Sequence, residues 1–230
     1  MATKKIKMVR GQVVRVTRLD ACGIPDPGAS AVAVTDGIQS ITFEELTDAG
    51  TDIRVRNFAD RLCLRDDANE EFIGYQGTAT LCGVDPGFVN ILTRQEQVTN
   101  AAGDIVGVDV KTGVDLQDTS FALEVWTRLA DNVCGDSGYR GWGYNVFPFL
   151  KGGRLSAPSF ENGPSDLTIT GFKTYDGNGW GSGPFDVDRD DAGLPIPLFT
   201  PLDPNTHWRM VIVNLDPPLP QDGAFPLASV

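Results

Sequence analysis

Apolar and polar residues alternate with a period of two from one end of this chain to the other, and between the alternating runs the chain reverses at glycine and proline. That period places successive side chains on opposite faces of a strand, so each run is expected to be a half-buried β-strand. In GQVVRVTRLD, Val14 and Val16 oppose Arg15 and Thr17; in IQSITFEELTD, Ile41 and Phe43 oppose Thr42 and Glu44. TDIRVRN sets Ile53 and Val55 against Asp52, Arg54 and Arg56, and FIGYQGTATLCGV sets Ile73, Tyr75, Ala79 and Leu81 against Gln76, Thr78 and Thr80. The pattern resumes in DIVGVDV, SFALEVWTRLA, YNVFPFLKG, DLTITGFKTY and HWRMVIVNL. The 26 glycines and 15 prolines gather in clusters such as GDSGYRGWG, ENGPSD, YDGNGWGSGP and LDPNTH, as tight reversals require. Many short strands separated by such turns predict a mainly β fold, a sandwich or barrel.

The period changes once. In VDPGFVNILTRQEQ, Asp85 is placed to cap a helix, Pro86 suits its first position, and Phe88, Ile91 and Leu92 follow helical spacing. One short flanking helix is therefore expected. No fixed-period repeat or linker divides the chain, so residues 1–230 are read as a single domain. A basic N-terminal arm over about residues 1–10 and a tail over about 217–230 are expected to be flexible, because the prolines of PPLP cannot donate to a ladder and should stop the last strand near Leu215.

The net charge of −12 is uneven: residues 1–20 carry six basic groups against one aspartate, a net of +5, which leaves −17 on the rest. An acidic body opposes tight reading of nucleic acid, whose affinity rests on Lys and Arg neutralising phosphates. No run of about 18 apolar residues or secretory leader is found, so neither membrane insertion nor export by that route is expected. The four cysteines, Cys22, Cys63, Cys82 and Cys134, are far apart with one histidine to help them, which speaks against zinc; free, buried thiols are expected.

Candidate chemistry is sparse, and no catalytic residue, cofactor or metal ligand is nominated. His207, the only histidine, lies just before an apolar strand and reads as a turn or strand-edge residue. No nucleophile elbow, phosphate loop or zinc-protease helix occurs. Asp186, Asp188 and Asp190 match positions 1, 3 and 5 of a calcium loop, but Asp191 stands where glycine is required and Pro197 where a glutamate is required, so a solvated acidic loop is expected. Trp126, Trp142, Trp180 and Trp208 suit core or subunit contacts better than a sugar-binding face. In TDIRVRN, Ile53, Arg54, Val55 and Arg56 are candidates for contact with identical copies, the arginines meeting acidic surfaces.

Taken in order, VTRLDACG, ALEVWT, YNVFPFLKGG, ITGFKTYDGNGWGSGPFDV and TPLDPNTHW resemble the major tail proteins of long-tailed bacteriophages of high-G+C, actinobacterial hosts. The resemblance spans some 190 residues. It implies a non-enzymatic virion protein with a β-sandwich or barrel-like tail-tube fold, synthesised and assembled in the host cytoplasm. Six copies would close into a ring, and rings would stack into a hollow tube through which DNA passes without specific binding. A tape-measure protein and tail-end capping proteins would be its other partners, and an extended hairpin loop, here assigned to residues 44–60, and the chain termini would reach neighbouring rings. The competing expectation is a carbohydrate-binding sandwich, a receptor-binding or decoration protein using an exposed Trp180 loop and the Asp186–Asp191 cluster.

Overall fold

In the computed structural model, residues 7–130, 140–158 and 166–227 are described. Cys134 and most of the GDSGYRGWG and ENGPSD turns lie outside them. The strands are β1 (Met8–Arg18), β2 (Val32–Thr35), β3 (Ile38–Ala49), β4 (Ile53–Arg56), β5 (Leu62–Asp66), β6 (Glu70–Leu81), β7 (Glu96–Thr99), β8 (Ile105–Asp109), β9 (Ser120–Leu129), β10 (Trp142–Lys151), β11 (Arg154–Leu155), β12 (Leu167–Thr174), β13 (Asp188–Arg189), β14 (Pro195–Ile196), β15 (Arg209–Val213) and β16 (Gln221–Phe225). One α-helix, α1 (Pro86–Thr93), lies between β6 and β7. The protein is thus mainly β with one short helix, as the periodicity predicts.

Ten strands form one antiparallel sheet with the path β16-β2-β1-β9-β10-β12-β6-β3, to which β15 adds on β10 and β11 on β12. β10 is the junction. Its first half pairs with β15, whereas Leu150 and Lys151 pair with β12. Pro148 sits inside this central strand, where it would cost a ladder bond, and the register with β9 shifts between Phe147 and Leu150 to accommodate it. Beyond the junction, the β12-β6-β3 half faces the β1-β9-β10 half across a shared core. Val14, Val16, Phe121, Leu123 and Phe147 meet Ala79, Leu81, Ile169 and Phe172 there. Phe172 packs so closely on β6 that a Cβ at Gly77 would fall 1.9 Å from its ring, which is why that strand position holds glycine. Helix α1 adds Phe88, Val89, Ile91 and Leu92 to the same core; the Asp85 side chain accepts from the Gly87 amide at 2.8 Å, and Arg94 ends the helix in the left-handed region.

β9 and β10 are buried on their other face too, which the alternation does not predict. Ala122, Trp126, Trp142, Tyr144, Val146 and Phe149 lie under the long segment between β12 and β15, which contributes Trp180, Val187, Leu198 and Leu202. Arg15 and Thr17, expected to face solvent, are buried with them. Arg15 stands opposite Glu124 in the β1–β9 register and binds it through two contacts, Nε to Oε2 at 2.5 Å and Nη2 to Oε1 at 2.6 Å. The Tyr144 hydroxyl donates to the same carboxylate at 2.6 Å, and the Phe185 ring covers the guanidinium at 3.6 Å. Burial, then the negative charge of Glu124, holds the Tyr144 hydroxyl pKa well above its ordinary value, so it remains a donor.

Three further expectations are corrected. Beyond the prolines the tail is not loose: Gln221–Phe225 forms β16 against β2, with Phe225 packed on Val32 and Val34, because a proline-bounded segment can still add to a sheet edge. At the other end, residues 1–6 lie outside the described residues and the basic arm is strand from Met8 onward. Cys22, Cys63 and Cys82 are exposed, Cys82 because it follows inward-facing Leu81 at the end of β6.

Glu124→Ala should destabilise the protein by about 3–5 kcal/mol, since it leaves Arg15 charged and unpaired in the interior. Arg15→Met with Glu124→Leu should lose much less, because both charges leave together. Urea denaturation of the two variants checks this; equal losses would contradict it.

Candidate functional site

β3 and β6 stay paired well past the edge of the core, up to Ala49 opposite Glu70, and continue into the β4–β5 hairpin. From Glu44 to Ile73 the chain is therefore one long two-stranded arm, which extends beyond the residues 44–60 assigned to an extended hairpin loop. Every residue of β4 and β5 is exposed. The candidate contact residues Ile53, Arg54, Val55 and Arg56 all lie on β4. Val55 stands opposite Leu64, so Ile53, Val55 and Leu64 make an apolar face, each about half exposed, and Phe58 at the tip is fully exposed. Ile73, expected to face inward, is exposed because it sits on the arm rather than over the core.

The arginines occupy the opposite face, with Arg54 opposite Arg65. Their charges are met inside the arm: Arg54 binds Asp52 at 2.9 Å, Arg65 binds Asp67 at 2.7 Å, and Arg56 lies 3.4 Å from Asp60. All of these pairs are exposed, and such pairs are weak enough to exchange partners. Charge is nonetheless graded along the arm. Residues 53–65 carry four arginines against one aspartate, a net of +3, whereas residues 44–52 and 66–71 together carry eight acidic groups and no basic one.

At its root the arm is braced by a part of the chain remote in sequence. Between Leu46–Gly74 and Thr47–Phe72 the register slips, leaving Ile73 as an extra residue, a bulge that re-aims the ladder. Gly74 there has φ +144°, and a Cβ on it would lie 2.6 Å from Thr174 Oγ1. The Tyr75 amide donates to that hydroxyl at 2.8 Å. His207 Nδ1 lies 2.8 Å from the same oxygen and its Nε2 lies 2.9 Å from Asp176. Phe72 packs edge-on to His207, and Tyr75 edge-on to Trp208. Thr174, His207 and Asp176 are residue types of a nucleophile, a base and its orienting acid. Here Thr174 is buried and its oxygen already accepts from a backbone amide, so the series braces the arm. Nothing in the sequence brings Thr174 and His207, 33 residues apart, to Gly74, and spacing alone could not have found them.

The other candidates are structural. Asp190 accepts from the amides of Ala192 and Leu194, and Asp188 from that of Asn214, so the acidic loop caps its own turn. Among the described residues no group of three or more His, Cys, Asp or Glu side chains is placed to hold a metal ion, and no helix is long and apolar enough to cross a membrane. Trp126, Trp142 and Trp180 are buried, as core roles require and unlike the exposed Trp180 loop of the competing expectation; Trp208 is 42% exposed and stacked on Phe147. No protein-family model and no curated protein matches the chain.

Gly74→Ala must displace Thr174 and strain the backbone, at a cost of about 1–3 kcal/mol. The loss should be local. Amide hydrogen exchange is expected to quicken at Tyr75 and along residues 44–49 while β9 and β10 keep their protection; quickening spread evenly over the sheet would contradict the brace.

Proposed function

We propose that this chain is a structural virion protein that assembles with copies of itself into stacked rings, forming the hollow tube of a phage tail. The observation that carries the reading is the arm, residues 44–73, which is built on the β3–β6 and β4–β5 pairings and displays Ile53, Val55, Phe58 and Leu64 to solvent. An isolated two-stranded ribbon is marginal in water, and exposed apolar side chains on it want a covering surface. The body offers a second reason for assembly. Among the described residues β3 pairs with β6 alone along its 12 residues, and its other edge, which holds neither proline nor lysine, presents unpaired backbone groups. Such an edge invites another strand, and identical copies joined heterologously close into rings or extend as filaments. The order and spacing of the segments that resemble phage major tail proteins select the tube among these assemblies.

In that tube the acidic body would do mechanical work. Six copies at −12 each surround the DNA with net negative charge, which repels phosphates and avoids the counterion release that makes a Lys- or Arg-lined surface hold DNA. At physiological salt the effect reaches about 8–10 Å, so it acts at the wall. The carbohydrate-binding alternative draws no support from the indoles, since three of the four are in the core.

Electron microscopy of the purified chain should show rings or hollow tubes, and strictly monomeric particles at all concentrations would refute the proposal. Replacing residues 50–69 by a two-residue Asn-Gly turn, which fits the paired ends Ala49 and Glu70, should abolish stacking while changing the stability of the body by no more than about 0.5 kcal/mol. The same tubes should retain no duplex DNA even at about 50 mM salt, where phosphate contacts are strongest; retention that falls steeply with added salt would count against the acidic wall.

A further inference from the structure

The ladder between β12 and β6 stops at Lys173 opposite Gln76, and the next rung is made by a side chain. Thr174 Oγ1 accepts from the Tyr75 amide at 2.8 Å, and Gly74, with φ +144°, leaves it the room to do so. After Thr174 the chain leaves the sheet for the long segment that covers β9 and β10 with Trp180, Val187, Leu198 and Leu202 and lays Phe185 on Arg15. That lid is closed at its neck. The Gly177 amide donates to the Pro204 carbonyl at 2.8 Å, and the buried Asn178 side chain donates to the carbonyls of Asp203 and Pro204 at 2.9 and 3.1 Å. His207, on the returning side of the neck, has Nε2 2.9 Å from Asp176 and Nδ1 2.8 Å from Thr174 Oγ1. The start of the lid, its end and the root of the arm therefore meet at one hydroxyl.

We infer that this clasp is a relay that couples the order of the arm to the order of the lid. One assignment of protons satisfies every atom in it: the Tyr75 amide donates to the Thr174 hydroxyl, the hydroxyl to His207 Nδ1, and Nε2–H to the Asp176 carboxylate. Hydrogen bonds in such a directed chain polarise and strengthen one another, so losing the bond at one end weakens those at the other. Ring contacts run beside it, Phe72 edge-on to His207 at 5.5 Å and Tyr75 to Trp208 at 6.3 Å. An arm that frays to its root takes away the Tyr75 amide and the Phe72 ring together, and the neck loses support for the histidine that joins its two sides. Coupling between two sites is reciprocal. Whatever steadies the arm steadies the lid over Arg15 and Glu124, and whatever opens the lid loosens the arm.

Amide hydrogen exchange in a double-mutant cycle tests the relay. Thr47→Gly with Asp48→Gly loosens the arm at two exposed positions beyond the clasp, and Asn178→Ala opens the neck by removing its forked donor. Thr174→Val cuts the link between them. His207→Phe cuts it a second way, keeping a ring beside Phe72 and removing both nitrogens, so the cycle closes even if the buried threonine tolerates no change. The arm variant should quicken exchange at Gly177, Gly179 and Leu202 of the lid by about fivefold or more, and the lid variant should do the same at residues 44–46. With the link cut, each cross-effect should shrink to within about twofold. β9 and β10 should keep the rates of the parent throughout. Exchange is read on the dilute chain, so the outcome does not depend on whether copies assemble. The relay would be wrong if loosening the arm left the lid amides within about twofold of the parent, or if the cross-effects survived both link variants undiminished. Quickening shared by β9 and β10 would equally overturn it, since the sheet as a whole would then be opening.

Discussion

The Arg15–Glu124 pair dictates much of the architecture around it. Two full charges on adjacent strands are removed from water, which carries a large desolvation penalty that bidentate geometry and further hydrogen bonds must offset. Tyr144 supplies one such bond from β10, and Phe185 and Trp126 lay their ring faces against the guanidinium. Three neighbouring strands are thereby pinned in one register, because slipping any of them by a residue would turn its member of the cluster to the opposite face. The cluster also requires a lid. The segment between β12 and β15, rich in glycine and short of long regular strands, lies over it and makes β1, β9 and β10 the middle layer of the molecule.

This explains where the sequence was readable and where it was not. Alternation located the strands, and Asp85, Pro86 and the spacing of Phe88, Ile91 and Leu92 located the helix, because each of these signals is local. Arg15 misled for a physical reason: a period of two says that a side chain points away from its apolar neighbours, not whether water or a partner waits there. Ile73 misled in the opposite sense, since the same alternation continues onto an arm with no core behind it. The brace at Gly74 was invisible, as it depends on Thr174 and His207 arriving from distant segments.

Body and arm live under different energetic regimes. In the body, side chains such as Trp126, Phe121 and Phe172 are fully enclosed, and the stability of each strand is shared with its neighbours on both faces. In the arm, strand pairing and exposed ion pairs carry the structure alone, so its conformation past Glu44 depends on how firmly the root is held. Alternating arginine with apolar residues has a second effect. It leaves one apolar face of the ribbon open yet places Arg54 opposite Arg65, a like-charge pair that penalises indiscriminate stacking of ribbons on one another.

The direction of the arm matters as much as its surface. In the assembly proposed above, a heterologous contact made through the arm propagates only if every copy holds it at the same angle. Over a reach of tens of ångströms, a small rotation at the root displaces the tip by several ångströms. The bulge at Ile73 sets that angle, and the chain of contacts from the Tyr75 amide through Thr174 to His207 and Asp176 fixes it to the segment that also covers the Arg15–Glu124 cluster. Arm and buried ion pair are thus tied to one piece of chain. A regular stack of identical copies would need that rigidity, which a loop over the same residues could not provide.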